Sequence, residues 1–171
     1  KSTLLLQAST ALAQHQGVLY VTGEESLQQL ALRAQRLQLP MEHLNVAAET
    51  RAEVIAQLVE RQRPKVVILD SIQVMQMEGL DSTPGSVAQV RETASFFTRL
   101  AKQHDIVIVL VGHITKEGGI AGPKVLEPMI DRFMMVDSPS GSRDRPLRGH
   151  KKRFGAANHP GIFANTDLGT K

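Results

Sequence analysis

Short apolar runs alternate along this chain with amphipathic stretches of helical length. The clearest runs are GVLYVTG, KVVILDS and DIVIVLVGH, and HLNVAAE is a shorter one. They are rich in β-branched residues and too short for buried helices, so they predict strands. Because successive positions are apolar without alternation, the strands should lie in a parallel sheet that is covered on both faces.

Four stretches between and beside these runs have helical spacing. They are TLLLQASTALAQH, ESLQQLALRAQRLQL, TRAEVIAQLVERQRP and the segment that begins near Val87. Pro40 and Pro64 should end the second and third helices, and Thr50 with Glu53 predicts a capping box for the third. In the fourth helix the apolar positions share one face: Val87, Val90, Ala94, Phe97 and Ala101.

The pattern changes after residue 113. A glycine-rich loop, TKEGGIAGP, precedes the short strands RFMMVD, PLRGHK and GIFANT, with a turn at SPSGSRD. We expect these strands to form an antiparallel hairpin at one edge of the parallel sheet. Pro128 should interrupt a helical stretch before them, because proline lacks a backbone donor. The predicted fold is therefore a single α/β domain over residues 1–171, built from right-handed βαβ crossovers.

Composition narrows the class of protein. The 171 residues suffice for one domain, and no apolar run approaches the roughly 20 residues of a membrane span. With no recognisable secretory signal and no cysteine, we expect a cytoplasmic protein without disulfides or cysteine-bound zinc in these residues. The net charge is only +3, but basic residues crowd into positions 143–153, which permits a polyanionic partner. The absence of tryptophan argues against a base-stacking platform.

Polar residues follow three of the apolar runs, where open α/β sheets bind ligands. They are Glu24 with Glu25, Asp70 with Ser71, and His113. A Lys-Ser pair opens the chain, as at the end of a phosphate-binding loop. Such residues also occur as helix-end charges, strand-end caps and structural histidines. The residues alone therefore leave a nucleotide-hydrolysing site and an ordinary sheet edge both open.

Longer motifs decide between these possibilities. The segments GEES, VVILDSIQVM, STPGSVAQVRE, GHITKEGGIAGPKVLE and KKRFGAAN resemble, in order, the ATPase core of the RadA (Sms) family of bacterial DNA repair proteins. The resemblance covers essentially the whole chain. It implies a RecA-like P-loop NTPase core, with a mostly parallel central sheet, helices on both faces and the antiparallel hairpin at the C-terminal edge.

The resemblance implies an ATP and Mg²⁺ site. Lys1 and Ser2 match the end of the Walker A loop, with Thr3 beginning its helix, and Asp70 matches the Walker B aspartate that holds Mg²⁺ together with Ser2. Glu24 matches the glutamate that activates water, with adjacent Glu25 as an alternative. His113 occupies the position of a sensor that reads the γ-phosphate.

It also implies contacts with DNA and with a neighbouring subunit. EGLDSTPGSV resembles the first DNA-binding loop and TKEGGIAGPK the second, with Lys116 and Lys124 as DNA contacts. KKRFG resembles the family's KNRFG signature, in which Lys151 and Arg153 would reach the neighbouring subunit's nucleotide or DNA. Lys152 replaces the asparagine of that signature, and we expect it to contact DNA.

The function implied is that of a DNA-dependent ATPase in recombinational repair. It would form a homo-oligomer, with a hexameric ring expected, and act near the nucleoid on single-stranded DNA and branched recombination intermediates beside a RecA-type recombinase. The alternatives are a KaiC-like RecA-fold ATPase and a non-hydrolysing DNA-binding or assembly module. In the family a zinc-finger module precedes the core and a Lon-protease-like domain follows it. This chain has neither, and it lacks the Walker A glycines and their strand. We therefore expect the 171 residues alone to be less stable and to hydrolyse no ATP, unlike the parent protein.

Overall fold

The computed structural model describes residues 2–113, 125–136, 144–152, 161–166 and 169–170. Its helices are α1 (Ser2–Ala13), α2 (Leu27–Arg36), α3 (Ala52–Gln62) and α4 (Val87–His104). Its strands are β1 (Val18–Thr22), β2 (Asn45–Ala48), β3 (Val66–Asp70), β4 (Val107–Val111), β5 (Arg132–Val136), β6 (Asp144–Lys152), β7 (Gly161–Thr166) and β8 (Gly169–Thr170). Short 3₁₀ helices lie at Ile72–Val74 and Glu127–Met129.

The first four strands form the predicted parallel sheet, in the order β2-β1-β3-β4. Thr22 pairs with Asp70, and Asp70 pairs with Val111, so three strands end side by side. The two central strands, β1 and β3, are buried at every position. This register brings the residues that follow the three strands to one edge of the sheet.

Side chains of the central strands alternate between two apolar layers. Leu19 and Val21 pack with Ile55 of α3 and Phe97 of α4 on one face. On the other face Tyr20 and its strand neighbours pack with residues of α1 and α2, including Leu6 and Leu30. Burying each large apolar side chain contributes about 1.5–3 kcal/mol. One expected core residue differs: Val87, in the first turn of α4, is 47% exposed.

The predicted capping box at Thr50 is wrong. Helix α3 begins after Arg51, whose side chain makes no capping hydrogen bond. Glu49 fills this role instead, since its Oε1 accepts from the backbone N–H groups of Thr50 at 3.1 Å and Arg51 at 3.0 Å. Glu53 accepts from the backbone N–H of Glu78 at 3.1 Å rather than reaching back to the cap.

A capping box is present on α2, where Ser26 and Gln29 exchange two hydrogen bonds. Ser26 Oγ accepts from the Gln29 N–H at 3.1 Å, and Gln29 Oε1 accepts from the Ser26 N–H at 3.0 Å. The sequence carries the corresponding signal, a serine followed three residues later by a glutamine. This cap fixes the start of α2 directly after Glu24 and Glu25.

The later strands differ from expectation in their placement. Within the described residues, β5, β6, β7 and β8 form an antiparallel sheet of their own rather than an edge of the parallel sheet. Pro128 lies in the short 3₁₀ helix Glu127–Met129, and residues 125–136 form no α-helix. Among the described residues, no helix is both long enough and apolar enough to cross a membrane.

Candidate functional site

The candidate site lies where β1, β3 and β4 end. The Gly23 N–H donates to the Asp70 carbonyl at 2.8 Å, which extends the β1–β3 pairing by one residue. A side chain at Gly23 would collide with the Val74 side chain, so only glycine allows this close approach. The Asp70–Ser71 peptide bond is cis. The hydrogen bond between Gly23 and Asp70 sets Glu24 beside Asp70 and Ser71.

Glu24, Asp70 and His113 converge at this point. His113 Nε2 lies 3.8 Å from Glu24 Oε2 and 3.8 Å from Asp70 Oδ1. One donor atom from each of the three residues lies within 4.8 Å of the other two, a spacing that a metal ion could bridge. Ser71 Oγ donates to Glu24 Oε1 at 2.9 Å and thereby fixes the carboxylate.

Glu25 faces a different direction. Its carboxylate forms an ion pair with Arg33 of α2, with 2.9 Å between Oε1 and Nη1. Its backbone N–H donates to Thr22 Oγ1 at 3.0 Å. Of the two adjacent glutamates that the sequence leaves as alternatives, Glu24 is therefore the one that the structure brings to Asp70.

Asp70 is nearly enclosed, with 5% of its surface exposed. The buried Tyr20 hydroxyl donates to its Oδ2 at 2.9 Å. Burial and then the negative charge of Asp70 raise the pKa of Tyr20 well above its usual 10.0, and nearby Arg33 offsets only part of this rise. Tyr20 therefore remains a protonated donor at neutral pH. The second oxygen, Oδ1, is buried without a hydrogen-bond partner among the described residues.

The backbone of His113 is bound by the side-chain amide of Gln73. Gln73 Nε2 donates to the His113 carbonyl at 3.0 Å, and the His113 N–H donates to Gln73 Oε1 at 3.3 Å. The sequence analysis missed both Gln73 and Tyr20. Tyr20 could have been identified from the sequence, because it lies in an otherwise aliphatic strand and a buried tyrosine hydroxyl needs a hydrogen-bond partner. Nothing in the local pattern marks Gln73.

The other expected site residues are less completely defined. Ser2 and Thr3 are half-buried in the first turn of α1, a helix that packs on β1 and β3. Lys151 and Lys152 lie at the end of β6, opposite Phe133 and Arg132 of β5. Four predicted residues lie outside the described part of the chain: Lys1, Lys116, Lys124 and Arg153. Their assigned roles stay predictions.

The segment expected to be the first DNA-binding loop is held by Gln89 of α4, which is 2% exposed. The Gln89 amide accepts from the Met77 N–H at 3.3 Å and donates to the Ser82 carbonyl at 3.0 Å. Ser86 caps the same helix by accepting from the Gln89 N–H at 3.3 Å. The loop is thus attached to the domain at its base through buried polar contacts, while Asp81, Thr83 and Pro84 are exposed.

Chemically, the site combines oxygen and imidazole groups at the mouth of a buried sheet. The unpartnered oxygen of Asp70 is a donor of the kind that Mg²⁺ and its water shell require. Glu24 is half exposed, with its side chain 47% accessible, so its carboxylate can meet a water molecule. This arrangement suits a metal-assisted hydrolysis better than a purely structural role.

Comparison with known proteins identifies the family. The sequence profile of the AAA domain family matches residues 1–119. The chain is 56% identical over 171 residues to the DNA repair protein RadA of Escherichia coli strain K12, covering 100% of this chain and 37% of that protein. It is 44% identical over 170 residues to RadA of Bacillus subtilis strain 168, covering 99% and 37% respectively.

A third relative is RadA of Streptococcus pneumoniae, with 46% identity over 163 residues, or 95% of this chain and 39% of that protein. The chain thus spans well under half the length of these curated relatives. It nevertheless contains the strand ends on which the site is built. The chain therefore belongs to the AAA domain family, and across its length it is similar to bacterial DNA repair proteins of the RadA type.

Proposed function

We propose that this chain is part of the ATP-hydrolysing core of a RadA-type DNA repair protein, and that hydrolysis requires the whole protein. The observation that carries the proposal is the meeting of Glu24 and His113 at the unpartnered, buried oxygen of Asp70. Both the AAA family match and the names of the relatives support this chemistry and this biological setting.

Each side chain has a distinct part in the proposed reaction. Glu24, fixed by Ser71, orients and polarises the water that attacks the γ-phosphate in line. Asp70, fixed by Tyr20, together with Ser2 would hold Mg²⁺ and its water shell. Bound there, Mg²⁺ would neutralise charge on the phosphate oxygens.

Two further residues complete the proposed site. Lys1 pairs with the phosphates, as the lysine of a Walker A loop does. His113 lies close enough to both carboxylates to sense whether a phosphate is bound between the strands.

The proposed substrate of the motor is DNA. Its ligands would be single-stranded DNA and branched recombination intermediates, contacted by Lys116, Lys124 and Lys152. Lys151 and Arg153 would reach the nucleotide of a neighbouring subunit, which would link hydrolysis to a hexameric ring. A RecA-type recombinase would be the protein partner. The basic residues at 143–153 and the role in DNA repair that the relatives' names state support this part of the proposal.

The decisive experiment compares Glu24→Gln with Glu25→Gln in the full-length gene product. Loss of a general base typically costs about 10²- to 10⁴-fold in rate. We expect Glu24→Gln to lower kcat by at least about 100-fold while ATP still binds. Glu25 instead pairs with Arg33, so Glu25→Gln should change kcat only a few-fold. Phosphate release and nucleotide-binding assays measure the two effects, and equal losses in both variants would contradict the assignment.

A further inference from the structure

We propose that Gln73 is a positioning residue that holds His113 against the two carboxylates of the site. The expected effect of Gln73 on ATP turnover rests on the proposed function. The structural part of the inference, the attachment of His113 to Gln73, is tested independently of ATP hydrolysis.

The regular pairing of β3 with β4 ends before His113 is reached. The last paired residues are Asp70 and Val111. Beyond them the chain turns into the 3₁₀ helix Ile72–Val74, so its peptide groups no longer follow the β4 direction. The strand register therefore does not extend to His113, whose backbone is bound by the Gln73 side chain instead.

The Gln73 side chain takes the place of the missing strand backbone. A primary amide carries one acceptor and one donor side by side, as a peptide group does. Gln73 uses both on a single residue, at 3.0 Å to the His113 carbonyl and 3.3 Å from the His113 N–H. The two bonds together fix both the position and the rotation of the His113 backbone. A single bond would fix only one of them.

Because Gln73 is buried, its amide has few other hydrogen-bond partners and should remain bound to His113. Gln73 is only 6% exposed, so an amide that left His113 would find little water to replace its bonds. The pair should therefore separate only when the end of β4 itself moves.

The position of Gln73 ties the whole site to one short segment. Asp70 belongs to that segment directly, and Ser71 binds Glu24 from it. Gln73 holds His113 to the same segment. All three converging side chains therefore belong to residues 70–73 or are bound by them. A displacement of about 1 Å at a reacting group can reduce a rate by about 10²-fold. Loss of the amide contact should therefore impair turnover although Gln73 touches no reacting atom.

The kinetic test uses Gln73→Met in the full-length gene product, with Gln76→Met as the matched control. Methionine preserves the length and apolar packing of the side chain and removes both hydrogen bonds. Gln76 lies in the same segment, but its side chain approaches Thr50 at 3.5 Å rather than His113. We expect Gln73→Met to lower kcat by about 10- to 100-fold with KM for ATP changed less than about 3-fold. The control should stay within about 2-fold of the wild type in both parameters.

The structural test measures amide hydrogen exchange at His113 by NMR in the chain without nucleotide. In Gln73→Met the His113 N–H loses its acceptor, so its exchange should accelerate at least about 10-fold while amides within β4 are unchanged. Gln73→Glu is the second variant, for use if the methionine variant does not fold. It keeps an acceptor for the His113 N–H but places a carboxylate oxygen against the His113 carbonyl, so kcat should still fall.

The two measurements separate the inference from the proposed function. If the wild type hydrolyses ATP and the folded Gln73 variants keep kcat within about 2-fold, the positioning role is wrong. If the wild type hydrolyses no ATP, the proposed function fails, and the exchange rate at His113 alone decides whether Gln73 holds it. Unchanged exchange at His113 in a folded variant would overturn the inference in either case.

Discussion

At the scale of single residues, buried hydrogen bonds decide which polar groups are free to react. Tyr20 occupies one oxygen of Asp70, and the other is left without a partner in the described part of the chain. Ser71 occupies one oxygen of Glu24 in the same way. Each carboxylate is thus fixed at one oxygen and available at the other, which is the condition for binding a hydrated ion or a water in a defined place.

Removing the Tyr20 hydroxyl should destabilise the protein. In Tyr20→Phe the apolar ring stays in its cavity, but Asp70 loses the donor on its buried Oδ2. Leaving a buried acceptor unpaired costs about 1–3 kcal/mol, and we expect that loss in the free energy of unfolding. Urea denaturation of this chain measures it.

A double-mutant cycle with Asp70→Ala, which removes the acceptor, supplies the control for this prediction. If the hydroxyl acts through Asp70, the two substitutions together should cost less than the sum of the two alone, with a coupling of about 1 kcal/mol or more. Strict additivity would show that Tyr20→Phe acts through ring packing instead.

The sequence indicates the members of the site but not their orientations. The apolar runs predict that Glu24, Asp70 and His113 follow neighbouring strands, since parallel strands end at a common edge. The choice between Glu24 and Glu25 depends on Arg33, which lies one to two turns along α2 and draws Glu25 away. Gln73 could not be identified from the sequence, because it binds the backbone of His113, 40 residues further along the chain. Backbone groups are the same in every residue type, so the sequence does not indicate such a contact.

At the scale of elements, helix α3 shows why a local motif can mislead. The Thr50-x-x-Glu53 pattern fits a capping box, but Glu49 instead accepts from the N–H groups of Thr50 and Arg51, the two residues before the helix. It also pairs with the Arg51 guanidinium at 2.9 Å. Its own N–H donates to the Thr22 carbonyl at 3.1 Å, so tertiary contact with β1 sets where the helix begins. The local sequence pattern around Thr50 contains no information about this contact between Glu49 and Thr22.

The cap on α3 predicts a pH dependence of stability. The hydrogen bonds and charge of Arg51 lower the pKa of Glu49 from 4.5 to about 2. A carboxyl group with a lowered folded-state pKa stabilises the fold above its unfolded pKa. This contribution should therefore be complete above pH 4.5 and disappear as the pH falls towards 2.

Glu49→Gln should remove that pH dependence. We expect it to lower the free energy of unfolding at pH 7 by about 1 kcal/mol or less, because Arg51 is largely solvated. The difference from wild type should shrink as the pH falls from 4.5 towards 2. Denaturation at several pH values measures this, with Glu60→Gln, an exposed site on the same helix, as the control. If the difference in unfolding free energy between Glu49→Gln and the wild type were the same at every pH, the negative charge of Glu49 would not contribute to stability.

At the scale of the whole molecule, the parallel sheet was predictable and the placement of the antiparallel strands was not. The strands β1 and β3 are apolar on both faces, and only a central parallel position buries both. The strands β5 to β8 follow one another along the chain and pair as antiparallel neighbours, a local pattern that specifies their pairing with each other but no position on another sheet. Local pattern therefore gave their antiparallel pairing but not their separate sheet.

The same separation matters for the proposed DNA contacts, since the basic residues of β6 belong to the antiparallel sheet and not to the parallel sheet that carries the proposed nucleotide site. A lysine that binds phosphates releases counterions, so its loss lowers affinity and flattens the dependence of affinity on salt. We expect Lys116→Ala in the full-length gene product to weaken single-strand binding and to reduce the magnitude of the salt slope by about 0.7, the value for one phosphate contact on a single strand.

Arg153→Ala distinguishes a contact with a neighbouring subunit's nucleotide from a contact with DNA. A residue that stabilises a phosphate in trans acts on turnover, so the substitution should lower kcat while leaving the DNA affinity and its salt slope unchanged. Fluorescence anisotropy with a labelled single strand, repeated across a salt series, gives the slope, and phosphate release gives kcat. A changed slope with unchanged kcat would assign Arg153 to DNA instead. If neither substitution alters either quantity, these two basic residues are solvated and the DNA contact must lie on another surface.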